Sequence, residues 1–358
     1  MKIAFLIQDC TTVGGTERVT CLLANQMAGC GHEVSVISVF ATGGECKFPL
    51  DSRVRFVVAC GMDYSLRMSR LRRLMLLAQM AHRLKRNELL IKADVVIAQK
   101  FFAALMGVYA GFSPKLIVGE HYHYRLYGQP WLKLRDMVYC RAKAVVVLTE
   151  GCRRDFVRNG VNNVEVVGNM LPVSTVHSKE ECENVILAVG RLSREKGFDS
   201  LIEAVSRIKE RIIGWRVEIC GEGDERERLT EMIERYGLND VVLLRGRIED
   251  IAAEYARASF VVVPSRYEGF SLVLLEAAAM QRPAVSFDCP YGPREILAEG
   301  GGLLVEDQNI DALADAIVRM IGDAELREQC SEQTRKIVER FSPEKIYNQW
   351  MLIIEKYL

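Results

Sequence analysis

Twelve short β-rich runs, six in each half of the chain, constrain the fold more than any other feature. In the first half they are KIAFLI (Lys2–Ile7), EVSVISV (Glu33–Val39), VRFVVA (Val54–Ala59), DVVIA (Asp94–Ala98), KLIVGE (Lys115–Glu120) and AVVVL (Ala144–Leu148). In the second they are NVILAVG (Asn184–Gly190), RVEICG (Arg216–Gly221), VVLLRG (Val241–Gly246), SFVVVP (Ser259–Pro264), PAVSF (Pro283–Phe287) and GGLLV (Gly301–Val305). Helix-length segments separate them, and such alternation builds parallel, doubly wound sheets. The expectation is an α/β protein of two Rossmann-like domains, residues 1–168 and 184–342, with a ligand in the interdomain cleft. Between them GNMLPVSTVHSKEECE (168–183) loses both periods and becomes polar. The last segment, 343–358, carries Ile346, Trp350, Ile353, Ile354 and Tyr357 at helical spacing and is expected to pack back on the first domain.

At 358 residues and 49% hydrophobic content the chain has material for two cores. Its 11 cysteines are odd in number and show no C-x-x-C pair or Cys/His cluster, which reads as buried small hydrophobes in a reducing compartment and argues against structural zinc. The first apolar run ends at Gln8, too short for a signal peptide or a span. A cytoplasmic chain is expected, free to lie on the inner face of the plasma membrane. Net charge is zero overall, yet residues 1–168 hold 23 Lys+Arg against 13 Asp+Glu and the remainder 24 against 34. That asymmetry points to an anionic surface or ligand, with lipid or lipid phosphate ahead of nucleic acid, because no basic stretch carries interleaved aromatics.

The stretch EGFSLVLLE (Glu268–Glu276) sets two carboxylates eight apart across a loop that becomes a helix at Phe270 or Ser271. Glu276 lies among Leu272, Val273, Leu274, Leu275, Ala277, Ala278, Ala279 and Met280, where an unpaired ionised group would cost several kcal/mol, so something polar must meet it. Either a cation such as Arg282 or a ligand could do so. The loop follows ASFVVVP (Ala258–Pro264), hence lies at a strand's carboxyl end, where open α/β sheets bind ligands. A helix N-terminus suits phosphate, with Glu268 and Glu276 placed for hydroxyls on either side, the outline of a sugar nucleotide.

With these motifs in view, the chain resembles the retaining glycosyltransferases of the GT-B fold, family four, which use sugar nucleotides without a metal. The resemblance implies that Glu268 contacts hydroxyls of the transferred sugar and Glu276 holds the ribose diol, while Gly269, Phe270, Ser271 and Leu272 offer backbone donors to diphosphate and sugar. AVGRLSREKGF (Ala188–Phe198) matches the family's G-R-x-x-x-x-K-G pattern. Arg191 and Lys196 would then neutralise charge on the leaving nucleotide. Gly221 and Glu222 have only a loop role, and Ile248, beside Arg247, stands where backbone contacts the base. In DCTTVGGTERV, Gly14 and Gly15 precede a helix carrying Glu17 and Arg18; glycine there could simply serve the turn, and the family makes Gly15 a donor-side residue. In GEHYHYRL (Gly119–Leu126), His121 falls where relatives hydrogen-bond the donor sugar, and Tyr122, His123, Tyr124 and Arg125 are placed for the acceptor.

One departure narrows the acceptor. Where the family often has a Gly-Gly-x-x-E loop, this chain reads DCPYGPREIL (Asp288–Leu297), keeping Gly292 and Glu295 but adding Arg294. The variant resembles transferases that build bacterial surface polysaccharides and lipid-linked oligosaccharides. The resemblance therefore implies a hexose or N-acetylhexosamine moved from a UDP-linked donor to a glycan or polyprenyl-diphosphate-linked saccharide, with no cofactor and no metal. A GT-B nucleotide-sugar epimerase and a non-catalytic nucleotide-sugar-binding partner subunit are the rival readings; the epimerase pattern lacks this carboxylate pair, and intact Arg191, Lys196, Glu268 and Glu276 argue against the non-catalytic partner. Finally, residues 67–86 form a basic helix with a stripe of Leu74, Leu77, Ala81 and Leu84, suited either to anionic headgroups or to packing on the first sheet with its cations solvated.

Overall fold

The computed structural model describes residues 1–60, 70–172 and 182–358, the side chains of 70–74 and of Arg125 excepted. The chain divides into two compact units, Met1–Met170 with Pro343–Leu358, and Leu171–Ser342.

The first unit runs β1 (Lys2–Asp9), α1 (Gly15–Gly29), β2 (Glu33–Phe40), β3 (Arg55–Val58), α2 (Arg70–Lys85), α3 (Glu88–Lys92), β4 (Val95–Gln99), α4 (Lys100–Tyr109), β5 (Leu116–Gly119), α5 (Gln129–Tyr139), β6 (Ala144–Val147), α6 (Glu150–Arg158) and β7 (Val164–Val166). Its sheet has the order β3-β2-β1-β4-β5-β6-β7, with β1 parallel to β2 (Lys2 opposite Glu33) and to β4 (Ile3 opposite Val95). Central strands are covered on both faces, which is why they read as unbroken apolar runs rather than alternating ones. Ile3, Ala4, Phe5, Leu6 and Ile7 are all buried. β7 is the one strand of this sheet that the sequence reading did not anticipate; three residues are too few to show a period.

The second unit runs β8 (Val185–Val189), α7 (Phe198–Arg207), β9 (Arg216–Cys220), α8 (Arg226–Arg235), β10 (Val242–Gly246), α9 (Ile251–Arg257), β11 (Phe260–Val263), α10 (Leu272–Ala279), β12 (Ala284–Phe287), α11 (Gly292–Ile296), β13 (Gly302–Val305), α12 (Ile310–Gly322) and α13 (Ala324–Arg340). Its order is β10-β9-β8-β11-β12-β13, all parallel. Phe198, Leu201, Ile202 and Val205 of α7 pack with Ile219, Phe260 and Ile317 in its core. The chain then ends in α14 (Pro343–Tyr357), which belongs to the first unit: Ile346, Trp350, Ile353 and Ile354 are buried, and the Tyr347 hydroxyl lies 2.8 Å from Nε2 of His32.

Two expectations need adjustment. Helix α10 starts at Leu272, one or two residues later than read, with Ser271 as its cap. In α2 the buried stripe is Leu76, Met80 and Leu84, with Leu77 and Ala81 only half-buried, because a four-residue step carries the contact line against α4. The described part of this helix thus packs its apolar face inside the fold while Arg83 and Lys85 remain exposed; Arg67 lies outside the described residues.

Candidate active site

Each sheet order reverses between two neighbours, β1 and β4 in the first unit and β8 and β11 in the second. Loops leaving those strands in opposite directions open a crevice at the carboxyl ends. Gly15 follows β1, Arg191 and Lys196 follow β8, and Glu268 through Glu276 follow β11, all at these two points, whereas His121 follows β5 and Ile248 follows the edge strand β10.

In the second unit, the loop after β8 carries Arg191 and Lys196 and the loop after β11 carries Glu268. Lys196 donates to Oε1 of Glu268 at 2.8 Å, and Ser265 Oγ donates to the same oxygen at 2.7 Å. Burial works against the Lys196 ammonium, yet the adjacent Glu268 carboxylate holds its pKa above the ordinary lysine value. The two loops meet through glycine: Gly197 has φ 65°, and a Cβ there would stand 2.0 Å from the carbonyl oxygen of Pro264. Arg266 locks the junction, bonding Asp199 at 2.7 and 3.0 Å and the Arg194 carbonyl at 2.9 Å. Arg191 is exposed on the same edge and makes no ion pair among the described residues.

From Glu268 the chain passes through Gly269 and Phe270, whose ring stacks edge-on against Phe341 at 5.3 Å, to Ser271 and α10. The Ser271 side chain is buried, gives α10 no capping bond, and its Oγ has no hydrogen-bond partner. A buried hydroxyl at a helix N-terminus is costly to leave unmet, and beside free N–H groups it is suited to an anionic oxygen. Gly292 presses the DCPYGP loop against this turn, its hypothetical Cβ 2.9 Å from Phe270 Cα and 3.1 Å from Ser271 N. Tyr291 is held at φ 146° beside Glu268, with which it forms an isolated bridge. Arg294 is turned away to pair with Asp288.

Glu276 is 5% exposed, and one polar group that meets it is the hydroxyl of Tyr255 in α9, at 2.7 Å. Arg282, the cation considered from the sequence, instead donates to the carbonyls of Tyr255 and Ala256. Ile248 is half-buried three residues before α9. Tyr255 was not anticipated, since 21 residues separate it from its partner and no local pattern joins them.

In the first unit, Gly15 is exposed at the first turn of α1, after β1. His121 follows β5, its Nε2 2.5 Å from Oε1 of Gln99 at the end of β4. Burial, then the charge of Lys100, pushes the imidazole pKa down to about 3, so the ring is neutral with its proton on Nε2 toward the Gln99 oxygen. The loop is fixed from behind by Glu120, whose carboxylate accepts from His121 N at 2.9 Å, Tyr122 N at 3.0 Å and the Tyr139 hydroxyl at 2.6 Å. Lys100 has the left-handed φ of 68°, a strained conformation that brings its ammonium 3.3 Å from Glu17 and 4.9 Å from the Tyr122 ring centroid. Gln99, Lys100 and Glu120 were missed in the sequence, where each reads as an ordinary strand terminus. His123 precedes the short helical turn 124–126 that contains Tyr124 and Arg125, and Tyr124 bonds Asp136 rather than facing open solvent.

Comparison with known proteins accords with this arrangement. Residues 13–175 match the model "Glycosyltransferase Family 4" and residues 173–337 the model "Glycosyl transferases group 1". The chain is 26% identical over 357 residues to the amylovoran biosynthesis glycosyltransferase AmsD of Erwinia amylovora, covering 98% of each. It is also 26% identical over 369 residues to the GalNAc-alpha-(1->4)-GalNAc-alpha-(1->3)-diNAcBac-PP-undecaprenol alpha-1,4-N-acetyl-D-galactosaminyltransferase of Campylobacter jejuni, covering 99% of this chain and 98% of that one. Among solved structures, Anabaena HepE in complex with UDP and glucose shares the fold, with a TM-score of 0.80 at 20% identity over 99% of both chains. The chain belongs to the glycosyltransferases of the GT-B fold, of the family-four type. Both halves of the chain match glycosyltransferase models, which makes it a glycosyltransferase. No described helix is long and apolar enough to cross a membrane.

Proposed function

We propose that the chain is a retaining glycosyltransferase that moves a hexose or N-acetylhexosamine from a UDP-linked donor to a glycan or polyprenyl-diphosphate-linked saccharide, without a catalytic metal. The observation that carries this reading is the Lys196–Glu268 pair joined through one short turn to the unpartnered Ser271 hydroxyl and the N-terminus of α10. Glu268 takes hydroxyls of the transferred sugar, the turn Gly269–Leu272 takes the diphosphate, and Glu276, steadied by Tyr255, takes the ribose diol. The base rests at Ile248. HepE, which shares the fold, was solved with UDP and glucose, and the relative from Campylobacter acts on an undecaprenol-linked saccharide by its name, which supports the donor and acceptor classes.

In the reaction the acceptor oxygen forms its bond to the anomeric carbon on the face from which the nucleotide leaves. The bond between that carbon and the diphosphate oxygen breaks, and the acceptor's proton passes to the departing phosphate. Lys196 and Arg191 stabilise the negative charge that develops there, so the protein contributes orientation and electrostatics rather than a dedicated base. His121, neutral in this environment, is assigned to the donor sugar on the family resemblance alone. Glu268→Gln tests the assignment: turnover with the nucleotide sugar should fall at least a hundredfold while affinity for free UDP changes less than threefold. Equal losses in both would remove Glu268 from the sugar.

A further inference from the structure

Three cysteines that are scattered in sequence converge at the end of β1. Cys10 follows β1, Cys21 lies in α1, and Cys46 lies in the loop after β2. Their sulfurs form a nearly equilateral triangle with edges of 3.7 Å (Cys10–Cys21), 3.5 Å (Cys10–Cys46) and 3.6 Å (Cys21–Cys46). Cys10 and Cys21 are buried and Cys46 is half-buried, which leaves a side of approach. None of the three takes part in the chemistry assigned to the site.

We propose that Cys10, Cys21 and Cys46 form a three-thiolate site for a soft divalent cation of the zinc class. The dimensions fit. At a Zn–S distance of about 2.3 Å, a triangle of this size puts the ion about 1 Å above the sulfur plane, with S–Zn–S angles of about 100°, one face of a tetrahedron. A water or other small ligand completes the fourth position. Among the described residues this is also the one group of metal-ligating side chains whose donor atoms all lie within 4.8 Å of one another.

The cage around the triangle is built before any ion arrives. Asp9 accepts from Thr11 N at 2.9 Å and Thr11 Oγ1 at 2.5 Å on one oxygen, and from Thr42 N at 3.0 Å and Thr42 Oγ1 at 2.6 Å on the other. Thr11 Oγ1 in turn accepts from Gly43 N at 2.8 Å, and Cys10 N donates to Ser38 Oγ at 2.8 Å. These bonds tie the loop that carries Cys46 to the end of β1, so the three sulfurs are held without the metal. The loss of three thiol protons accompanies binding, and the ion then clamps together the end of β1, the first helix and the β2 loop. This site neutralises nothing at the diphosphate, so it is separate from the reaction and independent of the functional reading above.

The test uses the full chain, reduced and stripped of metal, with Co²⁺ as the probe. One equivalent should bind and produce a thiolate-to-cobalt charge-transfer band together with intense tetrahedral ligand-field bands, both erased by Zn²⁺. Cys46→Ser, in the half-buried loop position, should weaken binding at least about tenfold, since even outer-shell partners of a metal ligand cost that much. Cys140→Ser, at an exposed position remote in sequence, should leave the titration unchanged. Zinc should also protect Cys46 of the parent from alkylation, a readout that requires no variant. Absence of the charge-transfer band, its survival in Cys46→Ser, or alkylation of Cys46 at the same rate with and without zinc would overturn the proposal.

Discussion

Replacing Glu276 by Ala separates a ligand-binding carboxylate from a structural one. In the free protein the change removes a buried carboxylate from the apolar face of α10 and leaves the Tyr255 hydroxyl, 2.7 Å away, without that acceptor. Loss of that one hydrogen bond costs about 0.5–1.5 kcal/mol, offset in part by relief of carboxylate desolvation, so the apo melting transition should move by only a few degrees. With UDP bound, two ribose hydroxyls lose a charged acceptor at about 1.5 kcal/mol each, or ~3 kcal/mol together, which is about 150-fold in affinity. Isothermal titration with UDP and with 2′,3′-dideoxy-UDP closes the cycle. The parent should prefer UDP by roughly the same factor that Glu276→Ala loses, and the variant should bind both nucleotides alike. Refutation takes one of two forms: a variant that still prefers UDP over the dideoxy nucleotide, or an apo protein that unfolds on substitution, which would make Glu276 a structural group.

Gly292→Ala should destabilise the second unit by about 1–3 kcal/mol, because its Cβ would stand 2.9 Å from Phe270 Cα and would push the turn before α10; calorimetric unfolding that stays at the parent temperature would show that the loop yields. His121, held neutral by burial and then by Lys100, should not titrate above pH 5, and a histidine NMR signal lost in His121→Gln but titrating above pH 6 in the parent would contradict the described environment. If Lys196 and Arg191 supply the positive charge as proposed, turnover should be unchanged when Mn²⁺ or Mg²⁺ is added to chelator-treated enzyme, and strict dependence on either ion would refute that role. If the basic face of α2 rests on anionic lipid, replacing Arg83, Lys85 and Arg86 by Gln should weaken flotation with anionic vesicles by ~1 kcal/mol per cation, and equal flotation of both proteins would leave the helix a packed element.

What the sequence disclosed follows from how each feature is encoded. Buried parallel strands show as short apolar runs, so nearly every strand was legible, and only the three-residue edge strand β7 lacked enough length to register. Glu276 was conspicuous because a carboxylate among leucines and alanines violates the local pattern. Its partner Tyr255 was invisible, as were Lys100 with its left-handed backbone and Glu120 behind His121, because tertiary contacts and dihedral strain leave no periodic trace. The cysteines make the same point. Read singly they are small hydrophobes, and only the return of α1 and the β2 loop to the end of β1 places Cys10, Cys21 and Cys46 within 3.7 Å of one another. In α2 the basic character was plain, yet the contact stripe fell at Leu76, Met80 and Leu84, since several neighbouring apolar residues offer more than one helical face and packing against α4 selects among them.

The central claim, transfer with retention from a nucleotide sugar, is tested most directly by following the anomeric proton by NMR while the parent enzyme acts on a panel of UDP-sugars and polyprenyl-diphosphate-linked acceptors. UDP should be released in equal amount to a new glycosidic linkage whose anomeric configuration matches the donor, and both should be lost in Glu268→Gln. A product of inverted configuration, or interconversion of the UDP-sugar with no glycan formed, would contradict it.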